Sequence, residues 1–279
     1  MYVRAFYLFN NFYVDTEEVG MVFPSGEWSV WGHYDVMRVE KIEGADLEKC
    51  SRIIEEKRVE YIQGNSNLRV ITCFPRDEDA DQKIWDQDHS LYCFISLIRL
   101  RNREDVKKVL SDFPKAVYYD SLDHSDLISV YKFSSYIEGI NYIEDVQKNA
   151  TVYKMYTISM IKESELRELC EGTISIQEET VDVRLFMEMK DRQEAEHFIS
   201  KIKDEFPSKD QKEFRIYYNV LGDNDVQVEI DNINIVELLR LYKSGNLLTH
   251  SNPRYRKAIF NVETKIMKHM EVAAVESGR

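Results

Sequence analysis

Three short turns carry the residues with the clearest potential for chemistry. They read Gly-His-Tyr-Asp at 32–35, Asp-His-Ser-Asp at 123–126 and Gly-Asp-Asn-Asp at 222–225, and their last Asp residues lie 91 and 99 positions apart. Carboxylate and imidazole groups at such turns can bind a polar ligand or a cation, while Gly, Asp, Asn and Ser also meet the backbone needs of a tight turn by themselves. The candidate ligand-binding or partner-binding residues at these turns are His33, Asp35, His124, Asp126 and Asp225.

The turn at 123–126 lies in the stretch with the most regular alternation of strand and helix patterns. An apolar β-rich run comes first, and apolar residues then recur at helical spacing until Pro114 ends that segment. A hairpin, a second helix and a last strand follow, which gives the ferredoxin-like order βαββαβ. The predicted elements are a strand at 91–98, a helix at 103–110, strands at 116–119 and 127–131, a helix at 136–146 and a strand at 152–158.

The same order recurs downstream between 181 and 262, and in a less complete form upstream between 2 and 74. The upstream copy has no clear first helix, because Gly20, Pro24 and Gly26 interrupt the segment where it would lie. We therefore predict an α+β protein of three tandem ferredoxin-like domains with antiparallel sheets. The predicted boundaries are a first domain at 1–75, an acidic linker at 76–87, a second domain at 88–162, a third domain at 163–270 and a tail at 271–279.

Charge narrows the classes of partner. The chain has 37 basic and 50 acidic residues and a formal net charge of −13, which disfavours non-specific binding to nucleic acid. The acidic run at 76–81 predicts a solvated linker. A basic insertion at 246–257 has the opposite sign and could contact a small anionic ligand or an acidic protein surface. Its candidate residues are Arg254, Arg256 and Lys257.

Compartment and cofactors are predicted from absent patterns. The sequence shows no secretory signal pattern, no run of about 20 apolar residues and no closely paired cysteines. We therefore expect a cytoplasmic protein with reduced thiols, no membrane association and no bound cofactor.

A likeness to known ligand sensors follows from the turns. A Gly-x-x-Asp turn between the second and third strands of a ferredoxin-like domain resembles the effector-binding domains of Lrp/AsnC-type regulators and, more distantly, ACT domains. This resemblance implies a small ligand bound between packed domains, near Asp35, Asp126 and Asp225. The chain departs from the ACT pattern, because the turn at 99–102 lacks a glycine.

A second likeness concerns metal-dependent chemistry. Gly-Asp-Asn-Asp at 222–225 resembles the Gly-Gly-Asp-Asp turn of palm-type cyclases and polymerases. This resemblance implies Mg²⁺ held by Asp223 and Asp225 for nucleotidyl transfer. The first strand of that domain offers only Asp182 and Glu188 as further carboxylates.

The sequence thus leads to one principal hypothesis and two alternatives. The principal hypothesis is a non-enzymatic regulatory or protein-interaction module that binds a protein partner. The alternatives are a divergent palm-like enzyme that uses Mg²⁺, and a sensor whose small-molecule ligand lies at the domain-junction turns.

Overall fold

The chain forms an α+β structure, as predicted, with antiparallel pairing between its neighbouring strands. The computed structural model describes residues 1–10, 28–31, 36–62, 67–88, 90–172, 179–189, 193, 196, 200, 214–218, 226–238 and 259–268. The chain divides into two compact units, Met1–Gln177 and Glu178–Arg279. None of the helices in the described ranges is long and apolar enough to cross a membrane.

Eight strands of the first unit form one closed antiparallel sheet in the order β1-β3-β2-β8-β5-β7-β6-β4. Strands β1–β4 make a first set and strands β5–β8 a second set, and the sets are joined where β2 pairs with β8 and β4 with β6. The strands are β1 Tyr2–Asn10, β2 Trp28–Trp31, β3 Val36–Glu43, β4 Asn67–Pro75, β5 Tyr92–Leu100, β6 Val117–Ser121, β7 Leu127–Phe133 and β8 Val152–Lys162.

Helices follow several of these strands, and three of them pack on the outer face of the sheet. Their ends carry the expected local signals. The Ser135 hydroxyl accepts a hydrogen bond from the Glu138 amide at the start of α4, and Gly172 takes a left-handed conformation after α5. The helices are α1 Leu47–Ile62, α2 Glu78–Gln82, α3 Val106–Asp112, α4 Tyr136–Lys148 and α5 Glu163–Glu171, with a π-helix at Lys83–Gln87 and a 3-10 turn at Arg103–Asp105.

The inner face of the closed sheet is a packed apolar core. Each strand contributes to it, because alternate residues of a strand point to the same face. The division into three domains stays a prediction. In the first unit, the two strand sets share one apolar core. Its buried members are Phe6, Leu8, Trp28, Val30, Met37, Ile71, Cys73, Ile84, Cys93, Ile95, Leu97, Tyr119, Ile128, Val130, Ile158 and Met160.

The acidic segment at 76–87 is folded, which corrects the expectation of a solvated linker. It forms α2 and the π-helix, which we call the end plug. Asp81 of the plug is fully buried, and Ile84 joins the core. A run of acidic residues predicts exposure to solvent, but one of these carboxylates, Asp81, is buried because it is paired with the buried Arg4 side chain.

The second unit contains a four-stranded sheet in the order β10-β11-β9-β12. One face buries aliphatic side chains such as Val183 and Val228. The other face carries a charge network, in which Arg184 binds Asp231 at 2.7 Å and Glu229 at 3.1 Å, and Arg215 contacts the same two carboxylates. The strands are β9 Thr180–Met189, β10 Phe214–Tyr218, β11 Val226–Asn234 and β12 Ile259–Lys268.

Candidate functional site

Two of the candidate residues named from the sequence are within the described ranges. His124 and Asp126 belong to the turn between β6 and β7, in the second strand set. The remaining candidates, for ligand and for metal alike, lie outside the described residues. They are His33, Asp35, Asp223, Asp225, Arg254, Arg256 and Lys257.

Asp126 braces the end of β5. One carboxylate oxygen accepts a hydrogen bond from the Leu100 amide at 2.9 Å, and the other accepts one from Nε of Arg103 at 3.0 Å. The Asp126 amide in turn donates to the Ile98 carbonyl. These bonds give this carboxylate a structural task, and its role in ligand binding stays a prediction.

His124 lies at the edge of a cavity of about 280 Å³. Its side chain is 91% exposed, and its backbone carbonyl accepts a hydrogen bond from Nε of Arg99 at 3.0 Å. The cavity brings together three cationic side chains, one carboxylate, hydroxyl groups and an apolar wall. We call it the basic cavity, and its lining consists of Arg69, Leu97, Arg99, Asp123, His124, Ser125, Lys154 and Tyr156.

The strand pattern explains why these cations meet. Arg69 comes two residues before Ile71, a member of the inner core, and Arg99 comes two residues after Leu97. Lys154 likewise lies four residues before Ile158 on β8. With a side-chain period of two, all three extend the inner face of the closed sheet beyond its apolar core. They therefore converge at the end of the sheet opposite the end plug.

Two of the cations face each other directly. Arg99 and Lys154 are register partners on β5 and β8. Leu97 and Tyr156 are the neighbouring register pair on the same face of the sheet. Like charges placed directly opposite each other on neighbouring strands are destabilising. Within the described part of the chain, neither Arg99 nor Lys154 has an ion-pair partner. No described carboxylate therefore forms an ion pair with either side chain.

Asp123 is the single carboxylate among the described residues that line the cavity. Burial raises the pKa of its carboxyl group, but the His124 amide and the Arg69 guanidinium outweigh that effect and hold the pKa below its usual value. The Arg69–Asp123 ion pair is long, at 3.4 Å. Asp123 is therefore ionised at neutral pH and offsets one of the three positive charges.

Comparison of the chain with protein families, with curated proteins and with solved structures finds no match. No residue role can be carried over from another protein. The basic cavity must be judged on its own contacts and charges.

The turn motif at 123–126 indicates the rim of this cavity but not its cations. His124 belongs to that motif, whereas Arg69, Arg99 and Lys154 look like ordinary strand-end residues in the sequence. The available signal was their even spacing from the apolar inner-face residues, and that signal becomes specific only when the strand order is known.

Metal ligation has no support in the described ranges. They contain no group of three or more His, Cys, Asp or Glu side chains placed to hold a metal ion. Asp182, one of the carboxylates considered for a metal, accepts a hydrogen bond from the Asn232 amide at 2.9 Å. Asn232 has a positive φ of 56°, so this bond supports an irregular point in β11.

Proposed function

We propose that the chain is a non-enzymatic regulatory module of ferredoxin-like repeats, which senses a small anionic ligand in the basic cavity. The strand orders support the repeat assignment. Reading each set along its sheet gives β4-β1-β3-β2, then β8-β5-β7-β6, and for the second unit β12-β9-β11-β10. In every case the fourth strand lies beside the first, and the third lies between the first and second, as the βαββαβ order requires.

The position of the cavity supports a sensing role. Arg69 belongs to β4 of the first strand set, whereas Arg99, Lys154 and the turn with His124 belong to the second set. A ligand that touches both sides of this junction would stabilise the closed sheet against separation of the sets. Binding energy can then change the stability or dynamics of the whole unit.

The observation that carries the proposal is the direct opposition of Arg99 and Lys154. Repulsion between them is relieved by any anion that binds between them, and the protein as a whole is acidic. Solubility does not require Arg99 and Lys154, because the other surface charges of the chain already provide it. An anion-binding role gives the pair a physical reason.

Thermal unfolding of the full chain in the presence of small anions tests this function. We expect a concentration-dependent rise in the melting temperature with at least one compact anion, and none with neutral compounds of similar size. The rise should be lost in Lys154→Gln and kept in Lys107→Gln, which removes the same charge from an exposed position on α3. A melting temperature that no anion moves would contradict the proposed function.

A protein partner is the second candidate, and one surface favours it. Leu47 and Leu122 are 44% and 47% exposed, and both line a groove of about 470 Å³ between α1 and β4. Asp123 lines this groove as well as the basic cavity. A ligand that moves Asp123 would therefore alter the groove that a partner's apolar side chain would fill.

Site-specific photo-crosslinking tests the partner. A crosslinker at position 122 should give a defined protein adduct that Leu47→Asp abolishes. The same crosslinker at Val59, which is 54% exposed on α1 and does not line the groove, should not give that adduct. Identical adducts from both positions would contradict binding in the groove.

A further inference from the structure

We infer that the group bound in the basic cavity is a phosphate dianion, attached to a small organic body that lies against Leu97 and Tyr156. This inference rests on the proposed function, because it concerns the same cavity and specifies which anion the cavity recognises.

Charge balance selects a dianion. Asp123 is ion-paired with Arg69, which leaves the two positive charges of Arg99 and Lys154 without an ion-pair partner among the described residues. A phosphate monoester carries about −1.5 to −2 at pH 7 and has three strong acceptor oxygens. A monocarboxylate or a phosphodiester would leave one of the opposed cations uncompensated.

The donors are arranged for an oxyanion. Arg99 uses its Nε–H on the His124 carbonyl, which fixes the plane of the guanidinium. Among the described residues its two terminal nitrogens have no hydrogen-bond acceptor. A guanidinium held in this way can bind two oxygens of one phosphate, and Lys154 on the facing strand can bind a third as a point charge. Ser125 adds a hydroxyl donor at the rim.

The apolar wall points to an ester rather than to free phosphate. Leu97 and Tyr156 form the next register pair beside Arg99 and Lys154. The Tyr156 side chain is 43% exposed although it lies on the inner-face side of β8. A volume of about 280 Å³ is close to the lower end of the ~300–1,000 Å³ typical of small-molecule sites. It therefore accommodates a compact organic body next to the phosphate.

Other charged regions give weaker support for a ligand site. Among the described side chains of the second unit, two arginines on the sheet face are paired with two carboxylates, so these four charges offset one another. Lys132 is held over the rings of Trp28 and Trp85 and donates to the Asp88 carbonyl. That lysine is already engaged, whereas Arg99 and Lys154 have no ion-pair partner among the described residues.

Calorimetry with a matched ligand series tests the inference on the full chain. The probes are phenyl phosphate, its monoanionic methyl ester, inorganic phosphate and phthalate, a dicarboxylate dianion. We expect phenyl phosphate to bind about tenfold or more tightly than the methyl ester, because a lost charge-assisted contact is worth at least about that factor. Inorganic phosphate should bind more weakly than phenyl phosphate if Tyr156 and Leu97 contact the ring. Equal binding of the two would assign the site to free phosphate and overturn the ester part of the inference.

Variants and pH provide the controls. Lys154→Gln should weaken phenyl phosphate binding about tenfold or more, Lys154→Arg should retain most of it, and Lys107→Gln should leave it unchanged. Affinity should also fall as the pH drops below about 6, where a phosphate monoester becomes a monoanion. Tighter binding of phthalate than of phenyl phosphate would overturn the phosphate assignment and leave the proposed function standing. Absence of binding by every probe would overturn both.

Discussion

The carboxylate of Asp81 lies 2.8 Å from Nη2 of Arg4, with both side chains shielded from water inside the closed sheet. Nε of Arg4 also donates to this carboxylate, as do the hydroxyl groups of Tyr2 and Tyr119. Trp85 Nε1 donates to the Tyr119 hydroxyl at 2.9 Å. The end plug is therefore fixed by an ion pair whose carboxylate accepts hydrogen bonds from Arg4, Tyr2 and Tyr119, at the end of the sheet opposite the basic cavity.

Removal of this carboxylate should be strongly destabilising. Asp81→Ala leaves the Arg4 guanidinium buried without a counter-ion, and loss of one partner of a buried pair costs about 3–5 kcal/mol. Urea unfolding followed by tryptophan fluorescence measures the effect in the first unit, because all three tryptophans, Trp28, Trp31 and Trp85, belong to it.

The control for this change is Asp86→Ala, which removes an exposed carboxylate from the same segment and should change stability by no more than about 0.5 kcal/mol. The double variant Arg4→Met with Asp81→Ala should recover part of the loss, since no charge then remains unpaired. A single Asp81→Ala variant as stable as the parent would show that the plug is held by other contacts.

Close packing of α4 on the second strand set gives another prediction. A Cβ atom at Gly139 would overlap Cε2 of Phe94, a ring that is fully buried. Gly139→Ala gains up to about 1 kcal/mol of helix propensity. Overpacking costs about 1–3 kcal/mol and can exceed that where a ring must move, so we expect net destabilisation of about 1–2 kcal/mol in urea unfolding.

Two further variants define the cause. Gln147→Ala changes an exposed position of the same helix and should leave stability nearly unchanged. Adding Phe94→Leu to Gly139→Ala should give a smaller loss than the sum of the two single changes, because the contact they share is relieved. Strict additivity would refute the clash with the ring.

The pKa values of Tyr131 on β7 and Tyr142 on α4 predict the alkaline limit of the first unit. Burial raises the pKa of Tyr131 and of Tyr142 to about 12, against about 10 in an unfolded chain. A raised folded pKa means that these groups contribute stability below pH 10, which is lost as the pH rises from about 10 to about 12. Absorbance at 295 nm should show tyrosine ionisation together with a change in tryptophan fluorescence in that range.

Tyr131→Phe should move this alkaline transition to higher pH, because one ionising group is removed from the interior. Tyr153→Phe is the matched control, since that side chain is 66% exposed. Ionisation of the buried tyrosines near pH 10 with the fold intact would contradict the expected coupling.

Local patterns were sufficient for most of the elements. The apolar β-rich run at 91–98 and the helical spacing of apolar residues at 136–146 correspond to β5 and α4 within a few residues. Such patterns are set by neighbours along the chain, so a single sequence carries them. The helix α5 was not predicted, because its apolar positions, Leu166 and Leu169, are few among charged residues.

Closure of the sheet could not be predicted in the same way. It depends on β2 pairing with β8 and β4 with β6, contacts between residues far apart in sequence that leave no periodic signal. The basic cavity depends on this closure, because Arg69 reaches it from a different strand set than Lys154. His124 could be identified because its turn has a local sequence motif. The cations could not, because their proximity depends on the pairing of distant strands.

The opposed cations Arg99 and Lys154 predict that removal of one of them stabilises the ligand-free protein, although the same change weakens anion binding. Lys154→Gln removes one member of a like-charge pair that faces Arg99 across β5 and β8, and such pairs are unfavourable by roughly 0.2–1 kcal/mol. We therefore expect this variant to unfold at a higher urea concentration than the parent at low ionic strength, and the gain to shrink as salt screens the repulsion in the parent. Lys107→Gln lowers the net charge equally without touching the pair, and it should show no comparable gain. A variant less stable than the parent would mean that Lys154 contributes favourable contacts to the empty site, and the argument that this pair exists for an anion would fail.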